Sequence, residues 1–206
     1  MCYTINKIIF VKSKSQLSML SAQLKEQTKI NHQILEKKLV LQMRSIKNSG
    51  DYTNLLRNFY GFFGGLEFLI GKNPKLIFLK DYAERRKSSA LAHDLIYYNT
   101  DLPAFATGAA LPSIENDLQI IGVLYVMEGS TLGGKYIAKM IQGQLKIEET
   151  KGLTFFNGYG DQTENMWTSF KESIDGLTLT PLEKETVIAA ANDTFFHFSN
   201  WFDVQQ

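Results

Sequence analysis

The segment YVMEGSTLGGKYIAKM, Tyr125 to Met140, decides how this sequence folds. Its flanks read as helix, yet its middle carries Gly129, Gly133 and Gly134. A glycine in a helix interior costs roughly 1 kcal/mol relative to alanine, so three within six residues need a compensating reason. The preceding turns, LQIIGVLYVM, are apolar on every side, which puts this helix at the centre of the molecule. Gly129 and Gly133 stand four apart and share one face. Without side chains there, either a neighbouring helix or a flat ligand can lie directly on the backbone.

The surrounding sequence is helical almost throughout. Leu17, Leu20, Leu24, Leu35 and Leu39 fall close to helical period and predict a first helix from Leu17 to Leu39. Asp51 is a good N-cap for a second, YTNLLRNFYGFFGGLEFLI, whose middle is weakened by Gly61, Gly64 and Gly65. A third is expected from about Glu84 to Tyr98. TDLPAFATGAALPS, with two prolines and a glycine, reads as a loop. Asn116 or Asp117 caps the central helix, and Asp161 or Thr163 opens a short one around Met166, Trp167 and Phe170. The last helix has Thr180 as N-cap, Pro181 in its first position and Glu183 completing a capping box. No strand alternation, repeat or linker is visible. The expectation is one all-α domain over residues 17–206, after a loose N-terminal arm of residues 1–16.

Composition narrows the function. The 206 residues include 22 Lys and Arg against 21 Asp and Glu, a net charge of +1 that offers no bulk field for nucleic acid or an anionic membrane. The single cysteine, Cys2, rules out an internal disulfide and suits a reducing compartment. No apolar run reaches membrane-spanning length, and Ile8 to Val11 is too short for a signal-peptide core, so the expected location is cytoplasmic.

Three histidines are candidates for chemistry. His93 and His197 lie in helices with no obvious partner group. His32 shares a stripe with Lys25, Thr28, Leu35, Glu36 and Leu39. Glu36, one turn on, can hold the imidazole through one nitrogen and leave the other for a metal. Lys25 lies about two turns back, roughly 10 Å along the helix, where an ammonium could meet a carboxylate at a ligand's edge. The plain alternative is a surface histidine beside an ordinary Lys and Glu.

Taken together, these stretches resemble the heme oxygenase family, in particular its bacterial branch that supplies biliverdin to phytochromes. LKEQTKINHQILEKKL resembles the proximal helix, with Thr28, His32 and Glu36 in its T-x-x-x-H-x-x-x-E pattern. LYVMEGSTLGGKYI is similar to the distal LYV-x-EGS-x-LGG pattern. LPSIENDLQIIG and FFNGYGDQTENMWTSF resemble the approach to that helix and the aromatic, glycine-bearing stretch after it. The resemblance covers Leu17 to Trp201.

It implies a heme-oxygenase-like fold holding heme b between a proximal and a kinked distal helix. His32 would be the iron ligand. Gly129, Ser130 and Gly133 would form the catalytic distal wall, close over the porphyrin, with Gly134 beside them. Heme would be cofactor and substrate, degraded with O2 to biliverdin, carbon monoxide and ferrous iron. Electrons would come from an external reductant such as ferredoxin with its reductase, or ascorbate, because no flavin or nicotinamide fingerprint is present. A phytochrome receiving biliverdin is the implied downstream partner. Ser130 stands where the animal branch has aspartate and the bacterial branch serine. Its hydroxyl either orders distal waters or bonds back to its own helix. Lys25 and Lys171 match basic positions that hold the propionates, though either could be a solvated lysine. Tyr125 and Tyr159 are candidate hydroxyl donors, and Phe195 and Phe196 either wall the pocket or pack the core. Rival readings are a heme carrier without turnover, a heme-free enzyme of the same architecture such as a thiaminase-like protein, and a helical interaction module.

Overall fold

A computed structural model describes residues 19–72, 78–147 and 150–204. The expected N-terminal arm lies outside the described residues. Eight α-helices follow one another: α1 Leu20–Gln27, α2 Lys29–Ser45, α3 Ser49–Gly71, α4 Ser89–Tyr97, α5 Asp117–Leu145, α6 Thr154–Asn157, α7 Thr163–Asp175 and α8 Pro181–Val204. Among the described residues there is no strand, and no helix is long and apolar enough to cross a membrane.

The centre is α5, which stays helical through all its glycines. It starts at Asn116, whose side chain accepts from the Gln119 N–H in a capping box. Residues Ile120 to Glu128 are all buried. Its longest partner is α8. The two cross at Gly122, where a Cβ would meet the Val187 carbonyl and lie 2.7 Å from the Ala191 nitrogen. The predicted capping box opens α8, with the Thr180 N–H donating to Glu183 at 2.7 Å and the Glu183 N–H returning to Thr180 Oγ1.

Three boundaries differ from the sequence reading. The first expected helix is two, because the helical pattern breaks at Thr28, whose hydroxyl donates to the Leu24 carbonyl. The second begins earlier than Asp51. Asn48 is its N-cap and accepts from the Asp51 N–H, while Asp51 accepts from the Lys47 N–H. The third does not run from Glu84. Residues 82–84 form one 3-10 turn and α4 starts only at Ser89. The intervening Arg85 and Arg86 turn toward partners elsewhere in the fold, while the Lys87 ammonium donates to the Tyr82 carbonyl.

The glycines of α3 interrupt nothing either. They admit the loop between α4 and α5: Ala106 donates to the Gly61 carbonyl at 2.9 Å, and a Cβ on Gly65 would stand 2.5 Å from the Ala106 carbonyl. Phe59, Phe62, Phe63, Phe155, Phe198 and Phe202 fill the space between α3, α6 and α8 with stacked and edge-to-face pairs.

Candidate functional site

The proximal side is the start of α2. His32 presents a side chain 59% exposed, with Nδ1 turned toward Glu36 Oε2 at 3.8 Å. That is too long for a hydrogen bond, though it leaves Nδ1 as the nitrogen nearer the carboxylate. Phe195 of α8 is buried and meets the imidazole edge-to-face at 5.6 Å, so α8 supports the ring from behind. The neighbours of α2 are chiefly α8, α3 and α1. Thr28 sits at the break between α1 and α2, buried and paired with the Tyr125 hydroxyl. This ties the proximal segment to the glycine helix four residues before Gly129. Burial raises the Tyr125 pKa, so it remains a neutral hydroxyl. Lys25 is exposed, one turn before Thr28.

The three opening glycines separate by what they face. A Cβ on Gly134 would run into the Phe156 carbonyl, so this glycine serves the close packing of α5 on α6. A Cβ on Gly133 would meet nothing within 4 Å. One on Gly129 would make only ordinary contact, 3.6 Å from the Trp167 ring. Trp167 also packs on Tyr125 and stacks on Phe170, and the Lys171 ammonium lies 5.9 Å from its ring centroid. Tyr125, Gly129, Trp167 and Lys171 thus form one wall.

Next to that wall is a polar cluster that sequence reasoning missed. The Ser130 hydroxyl donates to its own helix at the Met127 carbonyl, 2.6 Å away. It accepts at 2.7 Å from Nη2 of Arg86, which also donates to Met127 O at 2.9 Å. The Arg86 head group lies 3.9 Å from the Phe155 ring centroid. Burial pushes its pKa down to about 10, partly countered by Glu128, so it is still a cation near neutrality. The Arg86 backbone N–H donates to the Tyr159 hydroxyl at 2.8 Å, and Tyr159 donates in turn to Glu128 at 3.0 Å. Burial, with the adjacent Glu128 charge, raises the Tyr159 pKa. Arg85, almost fully buried, closes the cluster with bonds of 2.7 Å to both Glu128 and Asp81. Burial opposes its charge, but these carboxylates outweigh it and its pKa is raised.

The signal for this cluster was legible in part. Beyond its first turn α5 carries a single carboxylate, Glu128, set in an apolar run, and a buried charge requires a partner. Which cation answers it depends on the inward turn of residues 85–87, and a charge run ordinarily reads as a solvated surface.

Of the other candidates, His93 is exposed and His197 lies 3.4 Å from Asp193, one turn away on α8. Phe196 is exposed, unlike Phe195. Among the described residues no group of three or more His, Cys, Asp or Glu could hold a bare metal ion. The arrangement fits a porphyrin instead. One exposed imidazole suffices when the macrocycle supplies the other donors, and a Cβ on Gly133 would meet no atom within 4 Å.

Comparison with known proteins bears on the family and the fold. Residues 18–204 match the sequence model of the heme oxygenase family. The chain is similar to a heme oxygenase of Guillardia theta, 24% identical over 193 residues, covering 85% of this chain and 81% of that one. A heme oxygenase of Xanthomonas campestris is 26% identical over 150 residues, covering 71% and 86%. Among solved structures, the NO- and CO-bound heme oxygenase of Neisseria meningitidis superposes with a TM-score of 0.78 at 20% identity, over 91% of this chain and 92% of that chain. The heme complex of the Synechocystis heme oxygenase gives 0.71 at 18%, over 90% and 91%.

Proposed function

Because the chain belongs to the heme oxygenase family, we propose that it degrades heme b, consuming O2 and electrons from an external donor. The observation that carries this reading is the exposed imidazole of His32, with Nδ1 the nitrogen nearer Glu36, on the same side chain stripe that the family resemblance marks for iron. When bound, heme supplies the iron that activates O2 and is itself the molecule oxidised, leaving biliverdin, carbon monoxide and ferrous iron.

The residues divide the remaining work. His32 offers Nε2 to the iron, and Glu36 and Phe195 restrain the ring. Gly129 and Gly133 would let the helix backbone come close to the ligand on the opposite face, because neither carries a side chain there. Ser130 has committed its proton to Met127, so toward a distal water it acts as acceptor. Lys25 and Lys171 supply ammonium groups for the propionates. Ferredoxin with its reductase, or ascorbate, fits as the donor, and a cytoplasmic setting would provide either. The EGS-x-LGG motif supports the bacterial branch and a phytochrome as recipient.

The test is direct. Hemin added to the protein should give a histidine-ligated Soret band. Ascorbate or ferredoxin and its reductase under air should then convert it to biliverdin with release of carbon monoxide. A heme carrier would show the same band, and its heme would survive the reductant unchanged.

A further inference from the structure

The Arg86 side chain belongs to none of the elements that the reading above assigns to heme, yet it touches the distal helix on both sides of Gly129. Its Nη2 bridges Met127 O and Ser130 Oγ, at 2.9 and 2.7 Å. Nη1 reaches the Phe155 carbonyl at 3.4 Å, and the guanidinium lies over the Phe155 ring. Phe155 is on α6, whose next residue supplies the carbonyl that packs on Gly134. The Arg86 backbone N–H adds a link through Tyr159 to Glu128. One residue on an irregular connection thus holds α5 at residues 127, 128 and 130 and binds it to α6.

The hydrogen-bond inventory shows what this does to Ser130. A hydroxyl has one proton and two acceptor sites. The proton goes to Met127 O and one acceptor site is filled by Arg86, so a single lone pair is left in a fixed direction. Without the guanidinium the hydroxyl could rotate, and the α5 backbone beside Gly129 would lose the bond that Arg86 makes to Met127 O.

We propose that Arg86 is a positioning residue: it fixes the orientation of the Ser130 hydroxyl and the placement of the Gly129–Ser130 backbone, and thereby which edge of the heme is oxidised. The inference rests on the heme-degrading reading and extends it. Arg86→Met keeps an unbranched apolar stem against Phe155 but has no donors. Arg86→Lys keeps the charge but has no planar fork to bridge two acceptors.

The experiment measures three quantities for the wild type, Arg86→Met, Arg86→Lys and Ser130→Ala. They are amide hydrogen exchange of residues 126–132 in the heme-free protein, hemin affinity, and the biliverdin isomer distribution by chromatography. Expected for Arg86→Met are at least tenfold faster exchange over 126–132, hemin affinity within threefold of wild type, and a second isomer above a tenth of the product. Arg86→Lys should recover part of the exchange protection and give less of the second isomer than Arg86→Met. Ser130→Ala should give the second isomer with near-wild-type exchange, and the double variant Arg86→Met/Ser130→Ala should give the same isomer mixture as Arg86→Met, because the hydroxyl is no longer held once Arg86 is gone. Loss of stability alone would lower yield without changing the isomer ratio. A single unchanged isomer from both Arg86 variants, with wild-type exchange over 126–132, overturns the inference. If Arg86→Met does not fold, the lysine variant decides: wild-type exchange and a wild-type isomer pattern there reject the proposal. A wild-type protein that makes no biliverdin would instead reject the heme-degrading reading itself.

Discussion

Substituting Gly133 and Gly134 in turn separates ligand contact from helix packing. Gly133→Leu places a side chain where a Cβ meets no atom within 4 Å. In the heme-free protein nothing is displaced, and the helix gains the propensity that glycine forfeits, roughly 0.5–1 kcal/mol. For a domain of this size that corresponds to a rise in melting temperature of about 1–4 °C. Gly134→Ala gains a similar propensity term, but its methyl group meets the Phe156 carbonyl, a backbone atom that cannot turn aside. Overpacking of this kind costs typically 1–3 kcal/mol, so a net loss of about 1–2 kcal/mol is expected, or roughly 2–8 °C. Hemin titration should give the reverse order. Gly133→Leu should weaken binding at least tenfold, about 1.4 kcal/mol, because the leucine occupies the porphyrin's place. Gly134→Ala should bind hemin nearly as well as wild type at a temperature where it is folded. Thermal melts of the heme-free variants and Soret titrations are the assays. If Gly133→Leu melts several degrees below wild type, or binds and turns over heme normally, the assignment of its open face to the ligand is wrong.

Other outcomes follow from the same geometry. His32→Ala should abolish the histidine-ligated spectrum and turnover, with partial recovery in free imidazole and little change in circular dichroism, since the ring is largely exposed; an unchanged spectrum would move the ligand to His93 or His197. Lys25→Ala should leave hemin affinity nearly unchanged, because an exposed ion pair contributes roughly 0–1 kcal/mol, yet yield mixed biliverdin isomers from a rotated heme. A single wild-type isomer from it and from Lys25→Ala/Lys171→Ala would mean that other groups orient the heme. Glu67 accepts from the Ser88 N–H and hydroxyl, but burial outweighs these bonds and raises its pKa. The folded state therefore holds that proton more tightly than the unfolded chain, and the associated stability is present in acid and lost as pH rises through the folded pKa. The melting temperature of wild type minus that of Glu67→Gln should accordingly grow as pH falls from 7 toward 4; a difference that is flat or shrinks would contradict the assignment.

The long elements were readable because their determinants are local. Asn116 and Thr180 cap their helices through side chains three residues away, and the apolar run before Gly129 is buried as its composition implies. His32 and Glu36 stood out because i, i+4 neighbours meet on any helix. What escaped depends on contacts distant in sequence. The glycines of α3 looked like a weakness, since nothing local reveals that the 101–107 loop lies on them. Gly133 and Gly134 are adjacent and identical in type, and only the placement of Phe156 gives them different surroundings. The inward turn of Arg85 and Arg86 is of the same kind, set by carboxylates and carbonyls that the fold brings from residues 127 to 166.

That inward turn also bears on how fast the molecule comes apart. Arg85, Arg86 and Lys87 can be dehydrated only after α5 has delivered Glu128 and α3 has delivered Glu67, because an enclosed charge without its counter-charge is strongly unfavourable. Contacts of this kind would form downhill of the rate-limiting step, once the apolar helices have associated. Their free energy then enters the escape rate of the native state more than its rate of formation. Residues 85–87 would act as a latch on the finished structure, giving the chain a longer native lifetime than its equilibrium stability alone would suggest.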